Sequence, residues 1–340
     1  MKKTFVLSTM LALTLALALV LGLAVVGCAT TGGRPVSLTW TEVRPFGVPS
    51  NPDDNNIFWF VSYGGGKFFA TRNNDNRLVY SEDGVTWTEA ADNPFSRGRG
   101  IVGYGGGKFV AGRNDTSYSA DGLTWTKLGN NATGGPWVSC IAYGNGTFVA
   151  GADWSTIAYS TDGVTWTGSS SNVDVHRAIA YGSGKFVAVG SGQNWDTGEW
   201  LQDGKMAYSV DGATWTAIEQ SIFAETPVLD IAYGGGKFVA VGADGTMAYS
   251  ADGIIWTALE GSFGDGRNQY TSVASIAYGA GIFVAAWLDG RMAYSTDGIT
   301  WKVAEDVPSS NRGICDIAYG NGRFVIVLGE DKIAYSNMQE

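Results

Sequence analysis

The chain is predicted to be an all-β protein, a seven-bladed β-propeller of four-stranded antiparallel blades. Three observations support this. The phrase Tyr-Gly-x-Gly-x-Phe occurs seven times, and each copy is followed by a Tyr-Ser pair. Six of those pairs continue as Ser-x-Asp-Gly-x-x-Trp. The period of roughly 40 residues, with four short strands per period, is typical of one propeller blade. The seven copies begin at Tyr63, Tyr104, Tyr143, Tyr181, Tyr233, Tyr278 and Tyr319.

Four strands, A to D, can be assigned within each repeat, and the fourth repeat serves as the example. Its predicted strands are residues 178–181, 185–190, 205–209 and 214–216. The Asp211-Gly212 pair between strands C and D predicts a hairpin turn with positive φ at both central residues. Strand B is apolar throughout instead of alternating, which predicts a sheet buried on both faces. A blade packed between two neighbours provides that burial.

The last repeat lacks its strand D, because only four residues follow Ser336. The missing Trp stands at the other end of the chain, as Trp40 within residues 38–43. We therefore expect residues 38–43 to complete the last blade and close the ring. The propeller is predicted to span residues 38–336, followed by a tail of residues 337–340. A closed ring has no open end, which favours a monomer.

Composition excludes some function classes. The 49 glycines are accounted for by the repeated turns. The formal net charge of −10, which includes Lys2 and Lys3, disfavours nucleic acid and anionic membrane surfaces as partners. With His176 as the single His, no imidazole cluster can hold a metal, and no cofactor motif is present. We expect neither a metal site nor a cofactor. Cys140 and Cys315 fall on different sides of the predicted ring and are not expected to form a disulfide.

The N-terminus indicates the cellular location. Lys2 and Lys3 precede an apolar run that ends in Gly27-Cys28. This resembles a bacterial lipoprotein signal, which implies a signal peptide of residues 1–27, a lipidated Cys28 and a tether through residue 37. An uncleaved transmembrane anchor is the alternative. Both interpretations place the propeller outside the cytoplasm, with the lipid anchor as its contact with the membrane. Ala29 favours the outer membrane in an organism that has one.

The Ser-x-Asp-Gly-x-x-Trp turns resemble Asp boxes, the hairpin signature of BNR-type propellers, although the spacing is one residue shorter. That superfamily includes sialidases, xyloglucan-degrading enzymes, sortilin-type receptors and the photosystem II assembly factor. The resemblance implies a structural role for the box carboxylates, which are Asp83, Asp121, Asp162, Asp211, Asp252 and Asp297. The sialidase Arg-Ile-Pro motif is absent, and no motif selects three converging arginines or a pair of catalytic carboxylates. Function must therefore be inferred from the site.

The two sides of the predicted disc differ. The turn face carries the A–B and C–D turns and is repetitive, whereas the connection face carries the B–C and D–A connections and is irregular. Variable loops on a constant scaffold are where binding sites usually lie. Seven Trp, including Trp40, repeat in strand D and are expected in the core. The other six are expected on the connection face, and they are Trp59, Trp137, Trp154, Trp195, Trp200 and Trp287. Among these, Trp59 and Trp137 are the ones most expected to have a structural role.

One insertion suggests a binding site. Between strands B and C, blade 4 has residues 191–202 where blade 5 has only Ala243. We expect a raised loop whose indoles, amides and carboxylates suit either sugar rings or a protein surface. The D–A linker of residues 260–275 is expected nearby. The candidate binding residues are Asn194, Trp195, Asp196, Glu199, Trp200, Trp154, Arg267 and Tyr270.

Taken together, these features predict a non-catalytic, extracytoplasmic lipoprotein whose connection face binds an envelope protein. A carbohydrate-binding module is the first alternative, and a glycoside hydrolase of the Asp-box propeller type is the second. No catalytic residue is predicted from the sequence.

Overall fold

The structure is a computed structural model. It describes residues 38–45, 57–73, 77–96, 100–130, 133, 137–152, 156–169, 177–193, 200–219, 222–259, 272–308, 310, 313–329 and 331–338. Among these residues, no helix has the length and apolar character needed to cross a membrane. The predicted signal peptide, Cys28 and the tether lie outside the described residues.

The described residues form seven four-stranded antiparallel sheets. The strands of the first three blades are β2 (Phe58–Gly64), β3 (Lys67–Arg72), β4 (Leu78–Ser81) and β5 (Thr88–Glu89), then β6 (Ile101–Gly105), β7 (Lys108–Gly112), β8 (Asp115–Ser119) and β9 (Thr126–Asn130), then β10 (Val138–Gly144), β11 (Thr147–Ala152), β12 (Thr156–Ser160) and β13 (Thr167–Gly168). Blade 4 consists of β14 (Ala178–Gly182), β15 (Lys185–Gln193), β16 (Trp200–Ser209) and β17 (Thr216–Ala217).

Blades 5 to 7 follow the same order. Their strands are β18 (Val228–Gly234), β19 (Lys237–Gly242), β20 (Met247–Ser250) and β21 (Thr257–Ala258), then β22 (Val273–Gly279), β23 (Ile282–Trp287), β24 (Met292–Ser295) and β25 (Lys302–Val303), then β26 (Ile314–Gly320), β27 (Arg323–Leu328), β28 (Lys332–Met338) and β1 (Leu38–Val43). A short 3₁₀ turn (Ala243–Gly245) joins β19 to β20.

The seven sheets form a closed ring, and the predicted fold class is confirmed. The A strands contact one another in the cyclic order β2, β6, β10, β14, β18, β22, β26 and back to β2. The N-terminal strand completes the last blade, because β1 pairs antiparallel with β28, with Trp40 opposite Ser336. The first and last parts of the propeller are therefore joined by a backbone ladder.

The Tyr-Gly-x-Gly-x-Phe repeat packs neighbouring blades together. Within each blade the Tyr ring contacts the Phe ring, as in Tyr181 and Phe186 with centroids 4.7 Å apart. The Gly after each Tyr makes room for the Tyr of the next blade, since a Cβ on Gly182 would fall within the ring of Tyr233. The same Gly–Tyr contact recurs around the whole ring, including Gly320 against Tyr63. One motif thus supplies both the blade core and the contact between blades.

The B strands form the most buried layer, as their continuous apolar pattern predicts. In β19 every residue after Lys237 is buried, and the same holds in β27 after Arg323. Because both faces of each B strand are covered by adjacent blades, no polar alternation is needed. The core clusters accordingly combine residues of two neighbouring blades, such as Val187 and Phe238.

The Asp-Gly turns differ from the sequence prediction. Only the Gly has a positive φ, such as 77° at Gly212, and no box Asp has one. Instead, the carboxylate folds over its own turn: Asp211 Oδ1 accepts hydrogen bonds from Thr214 N–H, Ala213 N–H and the Ser209 hydroxyl, at 2.8, 2.9 and 3.0 Å. These contacts satisfy the turn's backbone donors, so a left-handed Asp is unnecessary. The Trp precedes the two-residue strand β17 and does not lie within it.

The two ends of the blade 4 insertion are strands where a loop was predicted, and residues 194–199 lie outside the described residues. The insertion lengthens both strands of the B–C hairpin, and Gln193 pairs with Trp200 beyond the pair of Ser191 with Gly204. The register shifts between these two pairs. Asp203 lies in β16 and accepts a hydrogen bond from Gly192 N–H at 3.2 Å. The insertion therefore extends the sheet on the connection face.

Candidate functional site

A cavity of about 380 Å³ lies where the seven A strands begin, at the connection-face end of the central channel. We call it the channel-mouth cavity. Every blade contributes to its wall. The lining residues are Trp59, Phe60, Ile101, Val102, Arg113, Ser139, Cys140, Ile141, Arg177, Ala178, Ile179, Leu229, Asp230, Ala274, Ser275, Cys315 and Asp316.

Irregularities in the A strands direct these side chains toward the channel. In five blades the A–B register shifts near the start of strand A, as between Val228 and Asp230 and between Ile314 and Asp316. Such a bulge re-aims the side chains beside it. The residues at the shifts, including Leu229 and Cys315, and those that follow them all line the cavity. In these five blades the bulges therefore shape the wall of the cavity.

Two carboxyl groups in this wall are bridged by one hydroxyl group. Ser275 Oγ lies 2.7 Å from Asp230 Oδ2 and 2.7 Å from Asp316 Oδ1. These three residues occupy equivalent positions in the A strands of blades 5, 6 and 7, three residues before the repeat Tyr. The hydroxyl of blade 6 thus links the acids of its two neighbours.

The two carboxyl groups also accept backbone hydrogen bonds. Asp230 accepts the N–H of Ile231 and, from blade 6, the N–H of Ile276 at 2.9 Å. Asp316 accepts the N–H of Ile317 and, from blade 1, the N–H of Val61 at 2.9 Å. Each acid therefore binds its own strand and the next blade. We call Asp230, Ser275 and Asp316 the acid bridge.

The pKa of each acid in the bridge is raised. Burial raises the pKa of Asp230 to about 6, although its backbone hydrogen bonds act in the opposite direction. Burial, and then the charge of Asp230, raise the pKa of Asp316 to about 7. The box carboxylates behave oppositely: hydrogen bonds from Thr124 N–H and Leu123 N–H hold the pKa of Asp121 at about 2. The pKa is thus lowered in the turn-forming carboxylates and raised in the two channel carboxylates.

Two arginines line other parts of the same cavity. Arg113 follows β7 in blade 2, and its carbonyl accepts the Val138 N–H of blade 3 at 3.0 Å. Arg177 precedes β14 in blade 4, and its N–H donates to Val189 O at 2.9 Å. Both positions are thus held by backbone bonds. The sequence did not show whether any arginines meet at one site, and the structure brings Arg113 and Arg177 to one cavity.

Two thiols complete the polar lining. Cys140 and Cys315 are not joined by a disulfide, as expected from their separation in the ring. Burial raises the pKa of Cys140 to about 12, so its thiol is protonated at neutral pH. Within the described part of the chain, no group of three or more His, Cys, Asp or Glu side chains is placed to hold a metal ion.

Of the eight predicted binding residues, the structure describes only Trp200. Trp200 begins β16, where its backbone pairs with Gln193. The other seven predicted residues lie outside the described residues: Asn194, Trp195, Asp196, Glu199, Trp154, Arg267 and Tyr270. The raised loop at blade 4 therefore stays a prediction.

Of the six tryptophans outside strand D, the structure describes the side chains of three. Trp287, predicted at the connection face, is buried in the core between blades 5 and 6. Trp137, expected to be structural, is 43% exposed just before β10. Trp59 is partly buried and lines the cavity. Of the strand-D set, Trp125 and Trp215 are buried, and Trp256 and Trp301 pack against core clusters.

Sequence reasoning missed the acid bridge, although a signal for it exists. The residue three before the repeat Tyr is Phe60, Ile101, Cys140 or Ala178 in blades 1 to 4. In blades 5 to 7 it is Asp, Ser and Asp. Charged residues in an otherwise apolar inner strand need partners. Aligning the seven repeats by position would have identified these three residues.

Comparisons with known proteins support the fold. No protein-family model matches the chain, and no curated protein sequence matches it. A solved structure described as YCF48 bound to D1 peptide is 14% identical, covering 87% of this chain and 94% of that chain with a TM-score of 0.63. A streptogramin B lyase is 12% identical, covering 89% and 98% with a TM-score of 0.69. YCF48 from Cyanidioschyzon merolae is 14% identical, covering 87% and 98% with a TM-score of 0.61. At these identities the likeness shows the propeller fold, which serves both a peptide-binding protein and a lyase.

Proposed function

We propose that this chain is an extracytoplasmic, lipid-anchored scaffold whose connection face binds a protein partner of the cell envelope. The channel-mouth cavity is the observation that carries the proposal. All seven blades line it, and its wall carries arginines in blades 2 and 4 and carboxyl groups in blades 5 and 7. A segment of a partner protein that carries charged groups of both signs would complement such a wall.

The cavity is large enough for a segment of a macromolecular partner. Its volume of about 380 Å³ accommodates a short chain segment. A stable protein interface needs about 800 Å² from each partner. Trp137, 43% exposed at the start of blade 3, offers an indole on this face, and Trp residues are frequent anchors of protein interfaces. A structurally similar propeller, YCF48, has been solved with a D1 peptide bound.

The anchoring part of the proposal rests on the N-terminal sequence. Gly27-Cys28 at the end of the apolar run would place a lipidated Cys28 about ten residues before β1. That tether would hold the propeller near the membrane surface. The hydrogen bonds of the six Ser-x-Asp-Gly turns support the proposed relation to Asp-box propellers, in which these carboxylates are structural.

The proposal can be tested by capture from the native envelope. The full chain is immobilised and exposed to detergent-solubilised envelope, and retained proteins and glycans are identified by mass spectrometry. We expect a protein that is retained by the native chain and lost from Arg113→Ala/Arg177→Ala and from Trp195→Ala/Trp200→Ala. Ile255→Ala is the matched control, because Ile255 is 75% exposed on the turn face. Equal retention by all variants would contradict the proposal.

Glycan binding is the second candidate function, favoured by the exposed indole of Trp137. An indole face suits the apolar face of a sugar ring, and retention of glycan alone in the same experiment would select this function. A hydrolase would need two carboxyl groups that flank a glycosidic bond. The acid bridge fits that role poorly, because the Ser275 hydroxyl occupies the space between its two carboxyl groups.

A further inference from the structure

We infer that Asp230, Ser275 and Asp316 share one proton at neutral pH, and that loss of this proton weakens the contact between blades 5, 6 and 7 at the channel mouth. The acid bridge would then be a pH-sensitive latch of the propeller ring. This inference is independent of which partner binds the connection face.

The proton count follows from the geometry. A Ser hydroxyl has one hydrogen to donate and lone pairs that accept. Ser275 Oγ nevertheless lies 2.7 Å from a carboxyl oxygen on each side. It can donate to only one of them, so the other contact needs a hydrogen supplied by a carboxylic acid. The satisfied arrangement is a protonated Asp that donates to Ser275, which donates to the ionised Asp.

The backbone contacts do not supply the missing hydrogen. The N–H groups of Ile231, Ile276, Ile317 and Val61 each donate to a carboxyl oxygen of the bridge, and none of them donates to Ser275 Oγ. They bring both acids close to Ser275 and hold them there. At a separation of two short hydrogen bonds, two ionised carboxylates repel each other, which favours retention of one proton. The raised pKa values of about 6 for Asp230 and about 7 for Asp316 agree with this count.

Burial is the main cause of the raised pKa values of the bridge, and charged groups in the same cavity act in addition. The charged groups that line the same cavity are Arg113 and Arg177, whose positive charges favour the ionised form of the bridge. The lining also includes two thiols, Cys315 and Cys140, and the raised pKa of Cys140 keeps that thiol neutral. Replacing both arginines by Ala is therefore expected to shift the titration of the bridge to higher pH.

Loss of the proton would act across blade boundaries. Asp230 links blade 5 to blade 6, and Asp316 links blade 7 to blades 6 and 1. Without the proton, one of the two contacts of Ser275 becomes an unbridged contact between oxygens, and both acids are charged. Stability due to the raised pKa values is fully present below the unfolded value near 4 and is lost as the pH rises through about 6 and 7.

Infrared spectroscopy of the full chain tests the proton directly. The C=O stretch of a protonated carboxyl group is separate from that of a carboxylate. At pH 6 we expect a signal equivalent to about one protonated carboxyl group per molecule that disappears in a titration up to pH 9. At the same pH the signal should be smaller in Asp230→Asn and Asp316→Asn, because the Asn side-chain NH₂ can donate to Ser275 in place of the carboxylic acid and the remaining acid has no charged carboxylate beside it. Asp121→Asn, at a box carboxylate whose pKa is about 2, should retain it.

The thermal unfolding midpoint provides a second measurement that does not depend on one variant folding. In the native chain the midpoint should fall between pH 5 and pH 8. In Ser275→Ala the two carboxyl groups lose their shared hydroxyl, so the shape of this fall should change, whereas Ser275→Thr should preserve it. The inference is wrong if the native chain shows no protonated carboxyl group at pH 6, or if Asp230→Asn and Asp316→Asn leave the signal unchanged.

Discussion

The ring is closed by a buried ion pair as well as by β1, and removing one member should be costly. Arg72 ends β3 in blade 1, and Asp331 precedes β28 in blade 7. Arg72 Nη1 lies 3.3 Å from both carboxylate oxygens, and the two side chains are only 9% and 7% exposed. Asp331→Ala would leave the Arg72 charge in a place that water hardly reaches.

The loss of stability in Asp331→Ala can be calculated. Removing one partner of a buried ion pair costs about 3–5 kcal/mol of the free energy of unfolding. A domain of roughly 300 residues unfolds with an entropy of about 0.6 kcal/mol/K near its midpoint. We therefore expect Asp331→Ala to lower the thermal unfolding midpoint by about 5–8 °C. Circular dichroism of the full chain during heating measures this shift.

An exposed ion pair provides the matched control. Arg291 Nη2 lies only 2.7 Å from Asp289 Oδ2, but these side chains are substantially exposed. Because solvent screens such a pair, Asp289→Ala should cost under about 1 kcal/mol, or roughly 2 °C. The double replacement Arg72→Met/Asp331→Leu should recover most of the loss, since an apolar pair needs no counter-charge. The reasoning is refuted if Asp331→Ala lowers the midpoint no more than Asp289→Ala does.

Three further predictions concern packing, acid and thiol chemistry. Gly182→Ala should lower the unfolding midpoint by about 2–5 °C, because the new methyl group would overlap the ring of Tyr233. Gly168→Ala, with open space around its Cβ, should leave the midpoint unchanged. Equal midpoints for the two variants would contradict the packing role of the repeat Gly. The box carboxylates should make the fold acid-labile: the lowered pKa of Asp121 gives stability that is present above about pH 4 and lost as the pH falls toward 2. Midpoints measured from pH 5 to pH 2 should fall less steeply in Asp121→Asn, and identical slopes would contradict this. Cys140 should resist alkylation at pH 8 in the folded chain, because its pKa is about 12, and react once the chain is unfolded; mass spectrometry of the labelled peptide distinguishes the outcomes.

The repetitive part of the fold was predictable because each motif residue acts locally or on the adjacent repeat. Tyr181, Gly182 and Phe186 occupy one hairpin, and their spacing alone predicts a turn between two strands. The closure by residues 38–43 followed from counting, since one Trp was missing at one end and present at the other. Seven copies of the same pattern made the prediction robust.

The site was not predictable in the same way, because it exists only once the blades surround an axis. Asp230 and Asp316 meet Ser275 from positions 45 and 41 residues away in the sequence. Residue type alone also misjudged the exposure of two indoles: Trp287 ends a B strand and is covered by neighbouring blades, whereas Trp137 lies outside any strand and is exposed. Both outcomes depend on packing between blades, which no single repeat encodes.

The central claim is that a protein partner binds over the connection face, and site-specific photo-crosslinking tests it most directly. A photoreactive amino acid is placed at position 137 on the connection face or at position 255 on the turn face, and the full chain is irradiated in the envelope of its native host. The account predicts a covalent adduct with another protein from position 137 and none from position 255. An adduct only from position 255, or none from either position, would contradict it.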